Sequence, residues 1–536
     1  MRDQKIEKLL AIAGNEHRYQ YFVLILFLIL WINCNFMAPV LPYLEREPIV
    51  THENENKSLT FAICKNSTNY KIMERFGYSW ISEFKIECEK FKIGLIGAFT
   101  FVGNTMGSMA FAIIQRYLSH KNILLISSLG FIVSIYVSTL ITDVGYFLCI
   151  LLSLVFMGLF GDLLCYSSLV VCEEIVSCNK RALFSSIINM GYGLCGIIFS
   201  FIFMFVQNWR YDFYIVMLLS FIIYLLIKFF VYESPRMYID TKDVKNLEKI
   251  LQGIAKFNGI EKEFLEKYQS EEYQQLVKDI MDYDTNYNDK LIDSNKEGIE
   301  MKEIEVNNKK EELVENTNNN SEQKKTENKN ISFFVSLKFP SLRYKFLILS
   351  VLWFGTRTIS NAVALYSKAL PGNYYWNIII LFIFESFAYY VSGVLINIKS
   401  LGRKGTLYLE YFIIIVSFLL LSFFKFSLPV ELTLNFIIRF CESAIELVYF
   451  TYTLEVYPTI VRSTNFGINV TFGNIGSILA PMIYEYLPGW LLLLIFAIMC
   501  IFHSFLLYFL PETEGKPMVE TIEELENEKD NDELEN

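Results

Sequence analysis

Three ionisable side chains interrupt an apolar stretch in the last quarter of the chain. Arg439, Glu442 and Glu446 fall within residues 430–453, which otherwise have the composition of a membrane span. Spacings of three and four residues place them on one face of a helix. A charge at the centre of a bilayer costs about 2.5–3.5 kcal/mol on insertion scales, so we expect this face to line a cavity. Glu446 would then meet a cationic group, with Arg439 holding Glu442.

Alternatively, the residues of this face have a structural role or carry a proton. Arg439 neutralises one glutamate, and the other is protonated because two close carboxylates rarely both ionise.

Further ionisable groups lie in other apolar segments. Four acids and two bases are candidates for one shared cavity: Asp162, Glu385, Glu442, Glu446, Arg357 and Arg439. If all of them ionise, the cavity is acidic, which favours a cation or a zwitterion as its ligand.

Twelve apolar segments hold these side chains, six on each side of a long polar stretch. The chain is 53% hydrophobic and 16% aromatic, which is atypical of a soluble enzyme. A bilayer core about 30 Å thick needs about 20 apolar residues per helix. We number the segments as spans one to twelve, at residues 19–41, 91–114, 121–141, 146–171, 184–206, 211–231, 346–370, 374–398, 406–426, 430–453, 466–487 and 490–510.

The polar segments divide the chain into domains. Basic residues collect in the second-to-third and fourth-to-fifth connections and in the central loop, so we expect both termini and that loop in the cytoplasm. Apolar periodicity in residues 242–275 predicts amphipathic helices, and the Asn/Glu/Lys composition of 282–330 predicts disorder. The predicted order is a cytosolic N-terminus (1–18), a six-helix bundle (19–231), a cytosolic loop (232–345), a second six-helix bundle (346–511) and an acidic cytosolic tail (512–536).

The loop at residues 45–90 carries two signals of an extracellular location. Asn56 and Asn66 each begin an Asn-x-Ser/Thr sequon, which predicts glycosylation. Cys64 and Cys88 lie in the same polar loop and would pair as a disulfide in an oxidising compartment. The other eight cysteines lie in or beside apolar spans, where a small hydrophobic role is expected.

Several functional classes lack a signature in this sequence. It contains no nucleotide-phosphate loop, metal-ligand cluster or nucleophile–base pair, so we expect neither an enzyme, a cofactor nor a metal, and no pump driven directly by ATP. No basic stripe predicts nucleic-acid binding. The expected partners are a small organic solute and the lipid bilayer, and the oligomeric state stays open.

Short motifs at the connections resemble those of the organic cation, anion and carnitine transporter family within the major facilitator superfamily. The resemblance runs from the first loop to the end of span twelve. Its motifs are WISEFKIEC (80–88), NWR (208–210), ESPR (233–236), AKFNG (255–259), LPGN (370–373), GRK (402–404), EVYPT (455–459) and PETEG (511–515). The resemblance implies an all-α membrane protein with twelve transmembrane helices in two pseudo-symmetric six-helix bundles.

The same resemblance implies roles for residues within the spans. Glu385 matches an acid of the cation and carnitine members, while Arg357 would bind a carboxylate or pair with Glu385. Trp353 matches a position that lines the pathway and would stack on a quaternary amine, and Tyr166 is a further candidate for substrate contact. Asn474 stands where an arginine goes with anionic substrates and an aspartate with cations.

Charged residues at the connections are the expected gating groups. In the family they form a cytoplasmic latch that holds the outward-open state. The connector after span two departs from the family pattern and lacks its acid, which predicts a weaker latch in the first half. The predicted gating residues are Arg116, Glu173, Arg181, Arg403, Glu455 and Arg462, with Asp162 as an alternative member or as part of a proton-coupling group with Glu442 and Arg439.

Together these features predict a secondary transporter of small organic solutes that works by alternating access in the plasma membrane. Organic cations or carnitine-like zwitterions are the expected substrates. A sugar, polyol or phosphate porter of the same superfamily is the nearest alternative, because PETEG (511–515) is shared across it. The other alternative is a non-transporting membrane sensor that signals through the central loop.

Overall fold

The structure is a computed structural model that describes most of the chain. The described residues are 2–14, 16–44, 49–52, 55–58, 71–74, 80–84, 86, 90–115, 117–141, 147–206, 208–280, 337–366, 374–396 and 398–514. Cys64, Cys88, Asn66, Arg116 and the segment 282–330 lie outside these residues. The chain divides into two units, one of Met1–Gln20 and Tyr232–Val335 and one of Tyr21–Val231 and Ser336–Asn536.

Most of the described elements are long helices. In the first half the elements are, in chain order, α1 Arg2–Ala13, α2 Arg18–Cys34, α3 Met37–Leu44, β1 Ile49–His52, β2 Glu55–Ser58, β3 Lys71–Glu74, α4 Trp80–Phe84, α5 Lys90–Ile114, α6 His120–Leu140, α7 Phe147–Ile175, α8 Cys178–Phe205 and α9 Trp209–Phe230. After α9 come α10 Pro235–Asp240, α11 Val244–Asn258, α12 Glu261–Tyr268, α13 Pro340–Tyr366, α14 Tyr374–Leu395, α15 Gly402–Phe423, α16 Leu428–Val456, α17 Thr459–Tyr486 and α18 Gly489–Tyr508. Residues 271–280 are also helical.

Ten helices in the described part of the chain are long and apolar enough to cross a membrane. The sequence predicts twelve spans, and the other two correspond to α16 and α17, which have 29 and 28 residues. Helix α16 is more polar because it carries Arg439, Glu442 and Glu446, and these side chains are buried against protein. In contrast, Leu148 and Phe412 are 65% and 68% exposed, as lipid-facing side chains are.

The helix pairings of the first half recur in the second. Spans two and four pack together, as do three and four and three and six. The same pairs, displaced by six helices, are eight and ten, nine and ten, and nine and twelve. Between the halves, span two packs on span eleven and span five on span eight. This repetition is the architecture of a parallel transporter repeat.

The first loop is anchored to the end of the first bundle by aromatic and charged contacts. Trp80 of α4 packs edge-to-face on Trp209, with ring centroids 5.6 Å apart. Glu83 accepts a hydrogen bond from Trp209 Nε1 at 2.7 Å and pairs with Arg210 Nη2 at 2.6 Å. Residues of the WISEFKIEC motif therefore pack against and form polar contacts with residues of the NWR motif. Three short antiparallel strands in the order β2-β1-β3 lie in the same loop, and β2 contains Asn56.

The smaller unit joins the N-terminus to the first part of the central loop. Helix α11 has one apolar face, with Leu247, Leu251 and Ile254 buried, which confirms the predicted amphipathic helix. Lys5 Nζ donates to Asp279 Oδ2 at 2.9 Å, and this hydrogen bond lowers the pKa of Asp279. Residues of the predicted cytosolic N-terminus therefore pack on residues of the predicted central loop.

Asn258 at the end of α11 holds the N-terminal segment in this unit. Its side-chain oxygen accepts from the backbone N–H of Tyr19 at 2.8 Å. Its amide nitrogen donates to the carbonyl groups of Ala13 and Gly14, both at 3.0 Å. One buried side chain thus satisfies three backbone groups where α1 gives way to α2.

We predict that Asn258→Ala detaches α1 from the smaller unit. A buried backbone group left without a partner costs about 1–3 kcal/mol, so hydrogen exchange of residues 2–13 should rise roughly tenfold or more. Mass-spectrometric hydrogen exchange on the purified full chain measures this. Lys256→Ala, an exposed position on the same helix, is the control and should leave exchange unchanged. Equal protection in both variants would contradict the assignment.

Candidate substrate cavity

A cavity lies at the centre of the larger unit, between its two six-helix bundles. It contains about 840 Å³ of empty space, open solvent included. Its lining comes from spans one, two, four and five of the first bundle and from spans seven, eight, ten and eleven of the second. These two sets are related by the six-helix repeat, so both halves contribute equivalent walls.

The bundles contact each other on both sides of this cavity. At the end that carries the 2–3, 4–5, 8–9 and 10–11 connections, which we call the connector end, Gly393 approaches Ser186. A Cβ atom at Gly393 would overlap the Ser186 side chain, so a larger residue here would force Ser186 to move. At the opposite end, Tyr43 stacks on Tyr375 with ring centroids 5.5 Å apart. The cavity is therefore bounded by interbundle contacts at either end.

Three charged residues are among those that line the cavity: Asp162, Arg357 and Glu446. Arg357 Nη1 pairs with Glu446 Oε1 at 2.9 Å, and the guanidinium lies 5.7 Å from the ring centroids of Trp353 and Phe450. The Arg357–Glu446 pair is neutral as a whole. Among the described residues, no group of three or more His, Cys, Asp or Glu side chains is placed to hold a metal ion.

Asp162 forms hydrogen bonds and no salt bridge among the described residues. Its Oδ2 accepts from Tyr166 Oη and from Asn474 Nδ2, both at 3.2 Å. Asp162 belongs to span four and Asn474 to span eleven, so this bond connects the bundles. The Asn474 amide also lies 3.4 Å from Ser108 Oγ, which contacts Thr471 Oγ1 at 3.0 Å. No sequence pattern indicates these two hydroxyl groups, because serine and threonine are common in membrane helices.

Glu385 is buried beside the cavity and does not line it. Arg439 Nη2 donates to both of its carboxylate oxygens, at 2.9 and 2.8 Å, whereas the expected alternative partner was Arg357. Arg439 Nη1 also contacts Glu442 Oε2 at 3.5 Å and the Ser360 carbonyl at 3.2 Å. Glu385 and Arg439 are 1% and 4% exposed. The predicted pairing of Arg439 with Glu442 is thus the longer of its two carboxylate contacts.

Trp353 lies behind Arg357 and is fully buried. Its Nε1 donates to Thr453 Oγ1 at 2.9 Å, and its ring packs edge-to-face on Phe450 at 5.0 Å. Phe450 and Tyr166 line the cavity, while Trp353 supports the wall from outside. In this conformation Phe450 and Tyr166, and not Trp353, are therefore placed to contact a quaternary amine in the cavity.

The connector end of the second bundle holds a dense ionic cluster. Arg403 donates to both oxygens of Glu455, at 3.0 and 2.8 Å, and to the Ile396 carbonyl at 2.7 Å. Glu512 accepts from the backbone N–H groups of Arg403 and Lys404, at 3.0 and 2.9 Å, and so caps α15. Two predicted gating residues, Arg403 and Glu455, therefore meet, and the PETEG motif joins them.

One backbone contact recurs at the 4–5 and 10–11 connections of the two bundles. Arg181 Nε donates to the carbonyl of Val176 at 3.3 Å, and Arg462 Nε donates to that of Tyr457 at 3.4 Å, in both cases five residues back. Glu173 lies within electrostatic range of both Arg181 and Arg462. Arg116, the remaining predicted gating residue, is outside the described residues.

One buried acid of the second bundle was not among the predicted site residues. Glu410 on α15 is 3% exposed and accepts from Ser392 Oγ at 3.0 Å. The signal was available, since Glu410 is an acid inside span nine. It does not line the cavity, and its Oε2 has no hydrogen-bond partner among the described residues.

Comparison with known proteins places this architecture among transporters. The profile of the Major Facilitator Superfamily matches residues 23–481. Organic cation transporter 1 of Caenorhabditis elegans is 25% identical over 491 residues, which cover 90% of this chain and 74% of that protein. Solute carrier family 22 member 21 of Mus musculus is 25% identical, with coverages of 84% and 72%. The structure of the proton:xylose symporter XylE bound to 6-bromo-6-deoxy-D-glucose has a TM-score of 0.58 at 14% identity, covering 98% of this chain and 99% of that one.

We predict that Glu385→Gln destabilises the second bundle. Removing one partner of a buried ion pair leaves the other charge uncompensated and costs about 3–5 kcal/mol. The melting temperature of the purified protein in detergent should fall, and Glu385→Gln combined with Arg439→Gln should recover part of the loss. Glu431→Gln, at the half-buried start of α16, is the control. A single variant as stable as wild type would show that the pair contributes nothing.

Proposed function

The chain belongs to the major facilitator superfamily of secondary transporters, and we propose that it carries organic cations or carnitine-like zwitterions. The resemblance to the organic cation, anion and carnitine transporter family is confirmed by relatives that cover most of the chain. The protein is an integral membrane protein with an all-α architecture. The finer choice of substrate rests on the charges of the cavity.

The observation that carries this proposal is the charge balance of the cavity lining. Arg357 and Glu446 neutralise each other at 2.9 Å, and Asp162 is the third charged group of the lining. With all three ionised, the lining has a net charge of one negative unit. Between low-dielectric walls, a single carboxylate favours a cation by electrostatic complementarity. The name of organic cation transporter 1, a relative along most of the chain, agrees with this substrate class.

A zwitterion fits the same lining by using both groups. Its quaternary amine would lie near Asp162, with Phe450 and Tyr166 as aromatic neighbours. Its carboxylate would share Arg357 with Glu446, since the Arg357 side chain is 20% exposed. A guanidinium offers several donors in a fixed plane, so it can contact two carboxylates at once.

Substrate binding would act on the contact between the bundles. Asp162 and Asn474 join spans four and eleven across the cavity at 3.2 Å. A cation that takes Asp162 as its counter-ion competes with the Asn474 amide for the same oxygen. Binding then weakens one interbundle hydrogen bond and shifts the population towards a conformation in which the bundles rock apart.

The proposal extends to the setting of the transporter. We place it in the plasma membrane, with both termini, the central loop and the connector end in the cytoplasm, on the distribution of basic residues. Residues 282–330 act as a spacer outside the transport pathway, and the loop at 45–90 faces outside. Transport occurs without covalent conversion of the solute, so the protein is not an enzyme.

We predict that Asp162→Asn lowers uptake of tetraethylammonium at least tenfold, because the lining loses its net negative charge; this corresponds to about 1.4 kcal/mol of binding. Uptake is measured in cells without endogenous activity and normalised to surface protein. Asp279→Asn, which removes a carboxylate of the smaller unit, is the charge-matched control. Uptake that survives in Asp162→Asn at the wild-type rate would reject the cation site.

We predict that Asn474→Arg shifts preference from cations to anions. The new guanidinium would pair with Asp162 and change the lining from one net negative charge to neutral, with an additional donor group for a carboxylate. The ratio of dicarboxylate to tetraethylammonium uptake, measured in the same cells, should rise roughly tenfold or more. Asn474→Gln keeps the amide and serves as the control. An unchanged ratio would remove Asn474 from the determinants of specificity.

A further inference from the structure

Two cysteines of the first bundle lie side by side in the cavity wall. Cys34 is the last residue of α2, and Cys165 is in the middle of α7. Their Sγ atoms are 3.1 Å apart, which is longer than the roughly 2.0 Å of a disulfide bond, and both are free thiols. Both residues line the cavity. The transport mechanism above does not use either of them.

The pair is held in place by the packing of spans one and four. Trp31 Nε1 donates to Ser168 Oγ at 3.0 Å, one helical turn from each thiol. The two helices are in contact at Gly161, where a Cβ atom would lie at an ordinary contact distance of 3.4 Å from the Cys34 carbonyl oxygen. The two sulfur atoms are therefore preorganised and do not meet by chance motion of long side chains.

A polar neighbour completes the site. Asn35 lies in the break between α2 and α3, where span one is interrupted. Its amide nitrogen is 3.3 Å from Cys165 Sγ and 3.7 Å from Cys34 Sγ. One donor thus serves both sulfur atoms, on the side where the helix is open to the cavity.

We propose that Cys34 and Cys165 form a two-thiol site for a trivalent arsenical. Paired sulfur ligands select soft, thiophilic centres, and two preorganised thiols bind such a centre far more tightly than one because the second bond is intramolecular. With an organic arsenic(III) oxide, two As–S bonds form and the arsenic–oxygen bonds break. The two thiol protons leave with the oxide oxygen as one water molecule, and no atom changes its oxidation state.

The test uses phenylarsine oxide and the purified full chain in detergent. Intact-protein mass spectrometry should show a phenylarsenic adduct that 2,3-dimercaptopropanol removes and 2-mercaptoethanol at equal thiol concentration does not. Peptide mapping should join the segments that contain Cys34 and Cys165. In Cys34→Ser and in Cys165→Ser the half-saturating concentration of the dithiol-reversible adduct should rise at least tenfold. Absence of that adduct in the wild type would overturn the proposal.

Cys195→Ser is the matched control, because Cys195 is a buried free cysteine of the same bundle and does not line the cavity. It should bind like the wild type, and all variants retain Cys64 and Cys88. Cys34→Ala and Cys165→Ala provide a second pair of variants where a serine variant fails to fold. Wild-type affinity in the folded variants of both positions would also overturn the proposal.

A protection experiment separates this proposal from the proposed function. Tetraethylammonium in the cavity should slow adduct formation, since the thiols and Asp162 share one wall. Adduct formation at the cysteine pair without such protection would uphold the arsenical site and count against the cation site. Tetraethylammonium uptake that depends on Asp162, in a protein that forms no dithiol-reversible adduct, would uphold the cation site and overturn the arsenical site.

Discussion

The free-energy cost of an ionised group in a low-dielectric interior determines how the charged side chains of this protein are paired. Three arginines of the second bundle, two of them buried and Arg357 partly exposed, are matched by carboxylates: Arg439 by Glu385 and Glu442, Arg357 by Glu446, and Arg403 by Glu455. Such pairs add little net stability, but breaking one is expensive. They therefore determine which helix faces meet, and they leave Asp162 as a carboxylate of the cavity lining with hydrogen bonds and no salt bridge among the described residues.

The pairs also divide the second bundle into layers with different tasks. Arg439 and Glu385 lie beside the cavity and hold spans eight and ten together. Arg357 and Glu446 form part of the cavity wall, where Arg357 remains partly exposed and Glu446 is buried. Arg403 and Glu455 close the connector end. Because α16 carries one member of each pair (Arg439, Glu446 and Glu455), one continuous helix connects the three layers.

The membrane spans could be predicted well from the sequence, whereas the ion-pair partners of the buried charged residues could not. Apolar stretches of about 20 residues identify membrane helices directly, and even the polar α16 was recognised by its length and flanks. Which charge meets which depends on helix rotation and packing, so Glu385 pairs with Arg439 where Arg357 was the expected alternative. Trp353 matched a pathway position yet lies behind Arg357, because one residue of rotation decides whether a side chain faces a cavity or a neighbouring helix.

The cap that Glu512 places on α15 ties the end of the chain to the ion pair at the connector end. Thr513 Oγ1 donates to Glu455 Oε2 at 2.6 Å, and Glu514 contacts Arg403. Residues 512–514, beyond span twelve, therefore contact both partners of this ion pair. A movement that separates Arg403 from Glu455 would also break these contacts, so the attachment of the tail is coupled to this ion pair. A fluorophore joined to that tail would report the conformational state without touching the cavity.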